Sequence, residues 1–144
     1  MKTIPTLYLL AGEAGFRLLH SSASGMTESS TRTASDYPDV SHGFASERGR
    51  NHASGVQFGN DGGKTDDEIE RPRLANHAVE SLAAEWAKGG YDRIVISAGP
   101  KMLGALRDAM PKQLADVVVA ELHKDLMKVA AHDLPAHFKD EVPL

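Results

Sequence analysis

The sequence predicts a single-domain α/β fold: a mixed sheet with an N-terminal antiparallel meander and helices packed on it. Three observations carry this prediction. Near the N-terminus, short apolar runs are separated by a glycine-rich connection, the simplest route to antiparallel strands. In the middle of the chain, apolar residues recur at helical spacing. Beyond them, apolar β-branched runs alternate with helical segments, the pattern of strand–helix–strand units on a partly parallel sheet. The chain has 144 residues, which sets one domain over residues 1–144. A domain of this size buries about 68–70% of its unfolded surface, enough for an ordinary core.

Thr6–Ala11 is apolar throughout and reads as a buried strand. Gly12-Glu13-Ala14-Gly15 is the tight connection, and Phe16–His20 is the second strand. Ser21–Gly25 is turn material, and Met26–Arg32 is a polar edge strand. From Thr33 to Asp66 no period of 2 or 3.6 residues emerges, and the composition turns to Ser, Gly, Asp, Asn and His. A long flexible loop at about 33–66 is therefore expected, and loops of this length inside compact domains are functional or disordered. Leu74, Ala75, Ala78, Val79, Leu82, Ala83, Trp86 and Ala87 then mark one face of a helix. Its start is placed near Arg71, so that Pro72 falls in the first turn; an earlier turn from Asp66 is the alternative, in which Pro72 would strain the helix. Gly89-Gly90 supplies a left-handed C-terminal cap. Arg93–Ala98 reads as a strand covered on both faces. Lys101–Met110 is helical, Pro111 ends it and opens a further turn through Ala115, and Val117–Leu122 is a strand. Asp133-Leu134-Pro135 reads as an N-cap with proline in the first turn, opening a helix over Ala136–Asp140. A three-strand meander followed by alternating helices and strands is the element order of a ribonuclease-H-like fold.

Composition excludes several functions. There are 16 Lys+Arg against 20 Asp+Glu, a formal charge of −4 with His neutral, which disfavours a general duplex-DNA binder. No cysteine is present, so disulfides, thiolate metal sites and cysteine nucleophiles drop out. No apolar run reaches the length of a membrane span, and no signal peptide is evident, so a cytoplasmic location is expected. The first strand carries no carboxylate, which disfavours a two-metal nuclease. The seven histidines lack the spacing of a helical zinc pair, and no serine sits in a nucleophile elbow. No metal or cofactor is expected.

Two places could meet an anion. Gly99-Pro100-Lys101 lies where a buried strand ends and a helix begins, the edge at which open α/β sheets bind ligands. Ser97, Gly99 and Lys101 are its candidate residues. In the long loop, Glu47-Arg48-Gly49-Arg50 places two arginines beside glycine, and Arg48 and Arg50 suit phosphate contacts.

The chain resembles the bacterial host attachment proteins, described as required for attachment to host cells. The resemblance rests on Leu7-Tyr8-Leu9-Leu10-Ala11 with Phe16-Arg17-Leu18-Leu19, on Ser46-Glu47-Arg48-Gly49-Arg50, and on the helix from Arg73-Leu74-Ala75 to Trp86. It is densest over Tyr91–Arg107 and continues through Val117–Glu121 and Lys124-Asp125-Leu126. Order and spacing together carry it, rather than any single motif. That family is related to the central domain of archaeal and eukaryotic peptide-chain release factors and Pelota. The resemblance implies a ribonuclease-H-like α/β domain. Release factors carry Gly-Gly-Gln in the loop before the long helix, where it helps water attack peptidyl-tRNA. This chain has Gly55-Val56-Gln57 there, with a β-branched residue in place of the second glycine, so Gln57 is the matching catalytic candidate. The family often has Asp after the first strand's alanine, where this chain has Gly12. Its usual Arg-His-Ala before the helix is not evident.

The expectation is a release-factor-like domain, non-catalytic or of poorly defined biochemistry, that binds the ribosome or structured RNA through Arg48, Arg50 and Gln57. Two alternatives stand beside it. One is a role in attachment to host cells, direct or by regulation. The other is a small-anion binder or enzyme using Ser97, Gly99 and Lys101.

Overall fold

The structure is a computed structural model that describes residues 4–22, 25–40 and 66–139. Its strands are β1 (Thr6–Gly12), β2 (Gly15–Ser22), β3 (Gly25–Thr33), β4 (Arg93–Ala98) and β5 (Val118–Leu122). Besides a short helical segment at 38–40, its described α-helices are α1 (Asp66–Ala87), α2 (Pro100–Ala109), α3 (Lys112–Ala115) and α4 (Leu134–Phe138). The five strands form one sheet in the order β3-β2-β1-β4-β5. β1, β2 and β3 pair antiparallel, with Gly12 opposite Gly15 at the hairpin end. β4 adds parallel to β1, and β5 adds parallel to β4. This is the expected mixed sheet with an N-terminal meander.

Every residue of β1 is buried, because both faces of the central strand are covered. On one face Leu7, Leu9, Ile94 and Ile96 meet Leu74, Ala78 and Leu82 of α1 and Leu103 and Leu106 of α2. On the other face Tyr8, Leu10, Leu19 and Val95 meet Leu122, Leu126, Leu134 and Phe138. Only short elements and a loop cover this second side, so it is the thinner layer. β3 is the expected polar edge, with most of its residues exposed.

The structure departs from the sequence reading in four places. The long helix starts at Asp66, and Pro72 lies inside it rather than in its first turn. Pro72 is exposed, so solvent can replace the backbone bond that its missing N–H would have made. At the far end of the stripe Ala87 is exposed, because the helix leaves the sheet before Gly89 and Gly90 turn the chain with φ of +86° and +95°. The stretch after β3 is not structureless from its beginning. Ala34–Asp36 form a 3-10 turn held by a capping box between Thr33 and Asp36, and residues 38–40 are helical. The remainder of the expected loop, 41–65, lies outside the described residues. Finally, Asp133 precedes α4 without making a side-chain cap, and a 3-10 turn over Ala131–Asp133 leads into the helix instead.

Candidate functional site

Two corners of the molecule bear on function. One is the root of the 41–65 segment. The other is the carboxyl end of the parallel strands.

At the first corner the chain beyond β3 docks against α1 through aromatic and polar contacts. The Tyr37 ring stacks on His77 with centroids 3.9 Å apart and on Phe16 at 6.1 Å. His77 Nε2 lies 2.7 Å from Asp39 Oδ1, and His77 Nδ1 lies 3.7 Å from Glu80 Oε1. Arg73 donates to the Asp39 carbonyl at 3.0 Å. Two turns of α1 thus hold the last described residues before the segment, which rejoins the described structure at the start of the same helix. Further along, Arg71 Nε donates to both carboxylate oxygens of Glu13, at 2.9 and 3.0 Å, and ties α1 to the β1–β2 turn. Tyr37, Asp39 and His77 were not legible as a group, because they meet across 38 positions of sequence.

At the second corner the residues after β5 run back across the sheet as an irregular strap, 123–130. Its carbonyls are held by buried side chains from β4 and β2. Ser97 is fully buried and its hydroxyl donates to the Lys124 carbonyl at 2.7 Å. Arg17 is 6% exposed. Its Nη1 donates to the carbonyls of Leu126, Met127 and Val129 at 3.1, 3.2 and 2.7 Å. Its Nε and Nη2 donate to the Glu28 carboxylate on β3 at 3.2 and 3.1 Å. All three polar nitrogens of this buried cation are therefore paired, as its burial requires. Burial pushes the Glu28 carboxyl upward, but the hydrogen bonds from Arg17 and Thr31 and the Arg17 charge outweigh it, leaving the group below its ordinary range. The strap ends a cleft of about 520 Å³ whose opposite wall is the β1–β2 turn from Gly12 to Gly15.

The residues expected from sequence fall unevenly on this frame. Arg48, Arg50 and Gln57 lie outside the described residues. Gly99 is the residue before α2, with Pro100 in the first turn, as its position predicts. Lys101 is exposed. Ser97 does not join these two as a ligand group, because its hydroxyl proton is spent on the strap. Replacing Ser97 by alanine leaves the Lys124 carbonyl without that donor. The expected cost is about 1–2 kcal/mol in urea denaturation, with faster amide exchange in the strap as the local signature. Arg17, which closes the strap, reads in the sequence only as a polar position on a strand.

A family model described as bacterial archaeo-eukaryotic release factor family 12 matches residues 16–137, most of the chain. No curated protein matches it.

Proposed function

Because the chain belongs to the bacterial archaeo-eukaryotic release factor family 12, we propose that it acts as a release-factor-like domain that associates with the ribosome or with structured RNA. The observation that carries this reading is the extent of the family match, which spans the segment holding Arg48, Arg50 and Gln57. In the proposal Arg48 and Arg50 meet phosphates, for which the guanidinium fork is suited. Gln57 accompanies them as the candidate for a hydrolytic role. The α/β body is the platform, and the clasp of Tyr37, Asp39 and His77 sets where the segment leaves it.

The fold reading that goes with this proposal is ribonuclease-H-like. It is supported by a three-strand antiparallel meander with two parallel strands added beyond the first, and by two helices on one face. No described helix is long and apolar enough to cross a membrane.

Sedimentation of tagged protein through a sucrose gradient tests the function. The wild-type chain is expected to co-migrate with ribosomes and to dissociate as salt rises, the mark of phosphate contacts. The double variant R48A/R50A is expected to move toward the top of the gradient. Each lost phosphate contact should lower the salt slope by about 0.7–0.9. Equal association of the double variant, or none by the wild type, would defeat the assignment.

A further inference from the structure

We propose that the cleft between the β1–β2 turn and the 123–130 strap is a binding site for a small molecule carrying a primary ammonium group on an aliphatic body. The proposal uses none of Arg48, Arg50 and Gln57 and does not depend on the ribosome reading.

The placement comes first. In open sheets, ligands favour the carboxyl ends of strands where the chain departs in opposite directions from adjacent strands. Here β1 continues into β2 on one side, while β4 leads through α2 and α3 to β5 on the other. The cleft lies beyond the end of β1, on the hairpin side of this divide, between the β1–β2 turn, Thr33 at the end of β3 and the strap. Its volume, about 520 Å³, falls within the range of small-molecule sites.

The walls are held before any ligand arrives. The strap is fixed by Ser97 and by the three Arg17 bonds to its carbonyls. The turn is held from outside by the Arg71–Glu13 ion pair. A site whose walls are already fixed spends little binding energy on ordering them.

The lining sets the chemistry. Ala14, Met127 and Val129 offer apolar surface, which suits an aliphatic body. Asp125 supplies the charge. One of its oxygens, Oδ1, accepts the Met127 N–H at 3.0 Å, which fixes the side chain. Its Oδ2 has no hydrogen-bond donor among the described residues. Gly12 makes room for that oxygen, because a Cβ at position 12 would lie 3.0 Å from it. Glu13, the other acid of the lining, is already paired with Arg71. The cleft therefore presents one carboxylate oxygen with spare acceptor capacity beside apolar surface, and an ammonium group is the complement. Lys128, at the same cleft, would favour a ligand that also carries a carboxylate.

The full chain, labelled with ¹⁵N, is titrated with L-leucinamide, L-leucine and isovaleramide. Leucinamide carries the ammonium alone, leucine adds a carboxylate, and isovaleramide is the uncharged control. Leucinamide at up to about 10 mM should move the amide signals of Gly12, Ala14, Met127 and Lys128, and isovaleramide should not. Leucine binding more tightly than leucinamide, with the difference abolished by Lys128→Gln, assigns an amino acid as the source. Leucinamide binding at least as well assigns a simple amine or amide. Asp125→Asn keeps the oxygen that accepts the Met127 N–H but removes the charge. It should weaken binding about tenfold or more with the fold unchanged. Gly12→Ala, which crowds the carboxylate, should weaken binding as well. The proposal is overturned if no probe moves these signals, if isovaleramide binds equally, or if Asp125→Asn binds as the wild type does.

Discussion

Replacing Arg17 by methionine is expected to destabilise the protein by about 3 kcal/mol, the scale set by breaking a largely buried ion pair while leaving polar groups unsatisfied. Arg17 is 6% exposed, and its guanidinium serves three strap carbonyls and one carboxylate. Methionine fills much of the volume but returns none of these bonds. Urea denaturation measures the loss, and hydrogen exchange locates it in the strap and in β3. The same variant should change the response to acid. Glu28 has a carboxyl held below its ordinary range in the folded protein, so its contribution is present above the unfolded-state pKa. That contribution is lost as pH falls through the lower, folded-state pKa. Without Arg17 the main lowering cause is gone, so this part of the acid dependence should disappear. A loss below about 1 kcal/mol, with the acid profile unchanged, would mean that the clamp contributes little.

Replacing Phe16 by alanine is the second large effect, expected at about 3–5 kcal/mol for a fully buried aromatic ring. Phe16 has no exposed surface and packs among the side chains between the sheet and α1. It also begins a stack that runs through Tyr37 to His77. The cavity should therefore loosen residues 34–40 as well as the core. His77→Ala separates the two effects. It removes the half-buried end of the stack, the bond to Asp39 and the contact with Glu80, and should cost about 1 kcal/mol. It should nevertheless raise amide exchange across 34–40 as much as the Phe16 variant does. Equal global losses for the two variants, or unchanged exchange at 34–40 in either, would show that the clasp is not a local unit.

The locally written parts of the fold were legible in the residues themselves. β1 reads as buried because its apolar run has no polar alternation, and it is the central strand with both faces covered. Gly89-Gly90 ends α1 because left-handed backbone there needs glycine. Gly99-Pro100 opens α2 because proline is tolerated where its N–H has no helical partner. The start of α1 was misplaced for the same local reason. Proline propensity argues for position one, whereas packing of Leu74, Ala78 and Leu82 stabilises the helix as a whole and lets Pro72 lie on its exposed side.

Chain order, the meander and the alternation of strands with helices were thus determined by short-range patterns that each residue states through its immediate neighbours. The family resemblance to release factors rests on the same linear information. The tertiary structure alone decided which side chains meet. Arg17 reaches carbonyls 109 to 112 positions away, Ser97 turns inward to the strap, and Gly12 opens space for Asp125. No periodicity encodes such contacts, because they depend on where the sheet and its covering strap bring distant backbone together, and buried polar groups then pair with whatever partner lies within reach.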